Sequence, residues 1–171
     1  MKLKTVIITI IVCLVLIGLF SWGYTKDGNT TAEVQGVTST GVKSALAATT
    51  DVLHDFGTIS MKNGDVSKDF IFSNPTDKDV VIRGLETSCM CTLAYLVGSD
   101  GSTKGPFGMA GMGSMTTTNE TIKTGEVRTL RVVYNPNAHG PAGVGRIDRF
   151  ITITDSSGSR LNFEIKANVT P

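Results

Sequence analysis

The stretch that decides the fold is Arg146-Ile147-Asp148-Arg149-Phe150-Ile151-Thr152-Ile153-Thr154, followed by Ser156-Ser157-Gly158 and then Leu161-Asn162-Phe163-Glu164-Ile165-Lys166-Ala167-Asn168-Val169. Period two puts Ile147, Arg149, Ile151 and Ile153 on one face of the first run, with Phe150 on the other. It puts Leu161, Phe163, Ile165, Ala167 and Val169 on one face of the second. Alternation of this kind marks half-buried strands. The Ser-Ser-Gly between them marks a hairpin turn.

Working outward, the same period recurs. Val66 to Ser73 alternates with Phe70 and Phe72 on one face, and Asn74-Pro75-Thr76-Asp77 then turns the chain. Arg128 to Tyr134 sets Leu130, Val132 and Tyr134 against Arg131. Asp79 to Glu86 and Thr92 to Val97 are two more strands. Val52 to Phe56 is the first, closed by Gly57, and Asn63-Gly64 signals a hairpin. No stretch after residue 51 has a helical period. The expected domain is therefore all-β, an immunoglobulin-like β-sandwich of seven to eight strands over residues 51–171. A domain of that length buries an adequate core without disulfides.

The N-terminal part reads differently. Residues 1–4 are a short basic start, Met1-Lys2-Leu3-Lys4, expected on the cytoplasmic side. Thr5 to Tyr24 carries no charge and is rich in Ile, Val, Leu and Phe. About 20 such residues span a bilayer, so residues 5–24 read as a transmembrane signal-anchor helix. Trp22 and Tyr24 fall at its outer end, where amphipathic rings favour the interface. The competing reading is a cleaved signal peptide, but Phe20-Ser21-Trp22-Gly23-Tyr24 is a poor cleavage site. Either way the domain is exported, to the cell surface or periplasm. Residues 25–50, rich in Thr, Ser, Gly and Ala, read as a flexible tether. The membrane is then one partner, and cell-envelope proteins are the candidates for others.

Composition excludes several function classes. The formal net charge is +1, so no overall field draws nucleic acid. The glycine-rich stretch lacks the Gly-Lys-Ser/Thr ending of a phosphate loop. Two histidines are present, and no Ser/His/Asp set stands at a recognisable spacing. The chain reads as a non-enzymatic binding or scaffold module.

Six segments occur in a telling order: Asp55-Phe56-Gly57-Thr58-Ile59, Phe70-Ile71-Phe72-Ser73-Asn74, Thr87-Ser88-Cys89-Met90-Cys91-Thr92, Thr124-Gly125-Glu126, Tyr134-Asn135-Pro136 and Gly145-Arg146. Over roughly residues 51–169 this set resembles the bacterial family called domain of unknown function 1573, itself similar to Hydin-type immunoglobulin-like domains. The resemblance implies a seven-stranded sandwich in an exported protein and implies no established activity. The family's motif has Gly between its two cysteines, where this chain has Met90, and residues 98–119 form an insertion after the motif.

Cys89 and Cys91 are the chemistry-bearing pair. On a strand they would share a face with Cα atoms about 6.6–6.8 Å apart, the long end of the disulfide range. Two thiols on one face also suit one soft cation. The insertion carries Met109, Met112 and Met115 among glycines and reads as a structureless loop. Thioethers are soft ligands that select Cu(I). His139 lies in a second irregular stretch, and imidazole suits copper. The metal reading is thus a Cu(I) site from Cys89, Cys91 and one or more of Met109, Met112 and Met115, with His139 as a further candidate. Three other readings stand beside it: a thiol–disulfide pair, two buried cysteines acting as small hydrophobes, and methionines that only fill a gap. His54, in the first strand, reads as a hydrogen-bonded strand residue rather than a ligand.

Overall fold

A computed structural model describes residues 44–171. The anchor and most of the tether expected from the sequence lie outside the described residues. Among the described residues no helix is long and apolar enough to cross a membrane.

The described residues form ten strands: β1 (Ala47–Ala48), β2 (Leu53–Ser60), β3 (Val66–Ser73), β4 (Val80–Thr87), β5 (Thr92–Val97), β6 (Thr103–Phe107), β7 (Thr117–Ile122), β8 (Val127–Tyr134), β9 (Gly145–Asp155) and β10 (Arg160–Thr170). They make two five-stranded sheets, ordered β1-β3-β8-β5-β6 and β2-β10-β9-β4-β7. Only β5–β6 and β9–β10 are consecutive strands paired within one sheet. Every other connection between these strands carries the chain from one sheet to the other.

The alternating faces explain the layers. Phe70 and Phe72 of β3 and Leu130 and Val132 of β8 are fully buried, and so are Ile151 of β9 and Ile165 of β10. Each such side chain stabilises the fold by about 1.5–3 kcal/mol through burial. Phe70 meets Phe163 across the two sheets at a centroid distance of 5.0 Å. Phe150 is exposed, as its place on the opposite face of β9 requires.

Several local expectations are corrected. The strand begun at Val52 does not stop at Gly57. β2 runs on to Ser60 because Gly57 takes a φ of +67° and its N–H bonds the Asp55 carboxylate at 2.8 Å. The partner strand shifts register between Lys166 and Asn168 and absorbs the irregularity. Asn63-Gly64 does not form a hairpin. Asn63 ends a short 3-10 turn that Gly64 caps, and the pair sends the chain from β2 in one sheet to β3 in the other. His54 packs edge-on against Phe56 at 4.6 Å. Residues 46–48, read as part of the tether, belong to the domain: Leu46 is buried and Ala47–Ala48 pair with β3. The insertion 98–119 is not structureless. It supplies β6 and the start of β7, which pair with β5 and β4.

Asn74 shows what the Asn-Pro segment does. It is fully buried. Its amide nitrogen donates to the carbonyls of Lys78 at 2.8 Å and Ile122 at 2.9 Å. Its amide oxygen accepts from the N–H and hydroxyl of Thr76. Its carbonyl accepts from the N–H of Gly125 at 2.8 Å. Two of the recurrent segments thereby meet, Asn74 with Thr124-Gly125-Glu126. Replacing Asn74 by Ala takes the buried amide donor from the Ile122 carbonyl, leaves the Lys78 carbonyl with the Thr76 hydroxyl alone, and should destabilise the domain by roughly 1–3 kcal/mol. Urea denaturation measures this, and a loss under about 0.5 kcal/mol would contradict the account.

Candidate functional site

The site forms where β4, in one sheet, hands the chain to β5, in the other. Sheets packed face to face lie about 10 Å apart, and residues 88–91 make the crossing. Such a short link cannot stay extended. The Thr92 N–H donates to the Cys89 carbonyl at 3.1 Å, closing a turn. The buried Thr87 hydroxyl lies 3.0 Å from that carbonyl and 2.9 Å from the carbonyl of Thr92. Neighbours fix the turn from outside. The Ser88 N–H donates to the Phe150 carbonyl at 2.9 Å, and the Phe150 N–H donates back to the Ser88 hydroxyl. The Asn135 N–H donates to the Cys91 carbonyl at 2.9 Å.

The cysteines therefore do not lie on a strand, and the long spacing expected for one does not apply. In the turn their Cα atoms are 5.2 Å apart and the two sulfurs form a disulfide, well within the usual Cα range. The domain thus contains a disulfide that its size does not demand.

Each sulfur has its own partners. Cys89 Sγ accepts from the Cys91 N–H at 3.2 Å and lies 3.2 Å from His139 Nε2. His139 is exposed, on the connection between β8 and β9 that Asn135 anchors. Cys91 Sγ accepts from Arg149 Nε at 3.2 Å, while Arg149 Nη1 donates to the Asp148 carbonyl. The Thr92 hydroxyl lies 3.7 Å from Cys91 Sγ. Tyr134, opposite Thr92 in the β5–β8 pairing, is close by. Burial pushes its phenol up from the ordinary range, and the charge of Arg149 works against that rise. Exposure separates the two sulfur-bearing residues: Cys89 is 9% exposed and Cys91 2%.

The sequence candidates are thus brought together in part. The sulfurs of Cys89 and Cys91 and one ring nitrogen of His139 lie within 4.8 Å of one another. Met109, Met112 and Met115 sit on the turn between β6 and β7. Met112 and Met115 are exposed and Met109 is half-buried. The base of that turn is tied to the strand leading into the cysteines, since the Thr87 N–H donates to the Gly108 carbonyl at 3.2 Å. Arg149 was missed as a site residue, though a signal existed. It is a charge placed among Ile147, Ile151 and Ile153 on the inward face of β9, and an inward charge needs a partner.

A family model described as a protein of unknown function (DUF1573) matches residues 47–99. That covers the cysteine segment and the two segments before it, about a third of the chain. No curated protein matches. Among solved structures, a protein of unknown function from Porphyromonas gingivalis W83 superposes with a TM-score of 0.51 and 14% identity, over 72% of this chain and 46% of that one. A secreted serine protease, VesC from Vibrio cholerae, gives a TM-score of 0.44 and 12% identity over 74% of this chain and 24% of its own. The CooA pilin subunit from enterotoxigenic Escherichia coli gives 0.39 and 12% over 74% and 97%. The chain spans less than half of the length of the Porphyromonas protein. These likenesses are to the β fold, and the last two carry no argument. The sequence from the first β-strand through the cysteine turn is thus similar to a family of unknown function.

The arrangement has a chemical consequence. Donors aimed at both sulfurs favour thiolate once the bond is reduced, and a stabilised reduced form makes a disulfide more oxidising. Arg149→Met removes a charged donor worth about 1.5–3 kcal/mol. The reduction potential should become more negative by roughly 30–65 mV. Equilibration with glutathione measures it, and an unchanged potential would contradict the assignment of Arg149.

Proposed function

We propose that the chain is a non-enzymatic, extracytoplasmic binding module, held at a membrane by residues 5–24, that engages protein partners through thiol–disulfide exchange at Cys89–Cys91. The observation that carries this reading is the disulfide in the β4–β5 turn, with His139 and Arg149 each 3.2 Å from one of its sulfurs. The proposed frame is an immunoglobulin-like sandwich of the Hydin type. Its two strand orders and the parallel pairing of β10 with β2 support that reading. The apolar run at Thr5–Tyr24 supports the anchor.

The unequal exposure sets a direction for exchange. A partner thiolate attacks Cys89, the less deeply buried of the two residues. A new bond joins the partner's sulfur to Cys89 as the Cys89–Cys91 bond breaks. The electron pair passes to Cys91, where Arg149 holds the thiolate. The partner's second thiolate then attacks its own sulfur in the mixed disulfide and releases Cys89. The partner is oxidised to a disulfide, and this chain is reduced to the dithiol. Met90, in the turn, and Phe150, hydrogen-bonded to Ser88, are both exposed large apolar groups. They suit a docking rim around the attacked bond.

The test uses the full-length protein in cells. Cys91→Ser leaves Cys89 without its intramolecular partner and should accumulate mixed disulfides with envelope proteins, visible on non-reducing gels. Cys89→Ser should accumulate several-fold fewer, because Cys91 is the more deeply buried. The adducts should stay with the membrane pellet after an alkaline wash. Equal trapping by the two variants would sink the direction of attack. Absence of adducts from both would sink the exchange reading, and recovery in the soluble fraction would sink the anchor.

A further inference from the structure

We infer that the reduced pair, together with His139, is a binding site for one monovalent soft cation, Cu(I). This goes beyond the exchange reading and shares with it only the accessible dithiol state. Three observations combine. The first is donor type and reach: two cysteine sulfurs and an imidazole nitrogen lie within 4.8 Å of one another. Thiolates select soft ions, and imidazole suits copper.

The second is coordination number. The cluster offers three ligand atoms. Structural zinc sites close with four, whereas Cu(I) is satisfied by two or three soft donors. The third is charge. Two thiolates and one Cu(I) leave a net charge of −1 on a group that is mostly buried. Arg149, with Nε 3.2 Å from Cys91 Sγ, offsets that charge. With a divalent ion the thiolates would already be neutralised, and the guanidinium would be left as an uncompensated charge beside the ion. The residue that sequence reading missed therefore discriminates between ions of different charge.

The steps balance. A dithiol reductant converts the disulfide to two thiols and is itself oxidised to a disulfide. Binding of Cu(I) then releases the two thiol protons, and neutral His139 contributes Nε2 without releasing one. His139 is exposed while Cys91 is buried, so the ion enters and leaves past the imidazole.

The test reduces the full-length protein in detergent with a phosphine, so its outcome does not depend on any partner exchange. Cu(I), supplied as its acetonitrile complex without oxygen, is titrated against a chromogenic Cu(I) chelator. The expected result is one Cu(I) per chain, with a thiolate-to-copper absorption band. His139→Ala and Arg149→Met should each weaken binding about 10–100-fold. Arg149→Lys should restore much of the loss, and circular dichroism confirms that each variant is folded. Zn(II) in excess should fail to displace the copper. Three results would overturn the inference: equal binding by the unreduced protein, equal binding by Cys89→Ser/Cys91→Ser, or unchanged affinity in Arg149→Met. Failure here with mixed disulfides still trapped by Cys91→Ser would leave the exchange reading standing alone.

Discussion

The rest of the site depends on one crossing. The chain must pass from β4 in one sheet to β5 in the other using residues 88–91 alone. The gap between packed sheets forces a turn there, and the buried Thr87 hydroxyl ties its carbonyls. The turn draws the Cα atoms of Cys89 and Cys91 to 5.2 Å. It also faces the end of β8 and the middle of β9, which is how His139 and Arg149 come to the sulfurs. A longer connection would relax all of these at once.

The electrostatic arrangement follows from that placement. The Arg149 guanidinium is half-buried, and its partial desolvation is costly unless something takes its hydrogen bonds. Here one goes to a backbone carbonyl and one to Cys91 Sγ. A neutral disulfide sulfur is a weak acceptor, and a thiolate is a far better one. Arg149 is thus better satisfied in the reduced state than in the oxidised one. The same holds for the Cys91 N–H that points at Cys89 Sγ. The fold supplies a core that does not need the bond, and the bond's surroundings favour its opening.

The sequence showed the layers well and the connections badly. Period two located β3, β5, β8, β9 and β10 almost to the residue, because each has one buried face. It could not show that Asn63-Gly64 joins strands of different sheets, since a turn signal does not say where the next strand pairs. β6 and β7 escaped notice. Of their residues only Phe107 and Ile122 are fully buried, so little alternation marks them. Leu46 and the two alanines after it escaped for the same reason. At the site, Cys89, Cys91 and His139 were named from residue type, and the structure brings them together. Their geometry was misread because a strand spacing was applied to a turn. Arg149 was visible as a charge on an apolar face, but its partner was visible only in three dimensions.

The central claim is that Cys89–Cys91 is a reactive bond rather than a structural one. Its standard reduction potential in the wild-type protein tests this most directly, measured at equilibrium with glutathione and read by mass after alkylation. Structural disulfides of exported proteins lie below about −300 mV. The account predicts a value well above that, in the range where protein dithiols exchange with the bond. A potential below about −300 mV would contradict it and leave Cys89–Cys91 as a clasp on the β4–β5 turn.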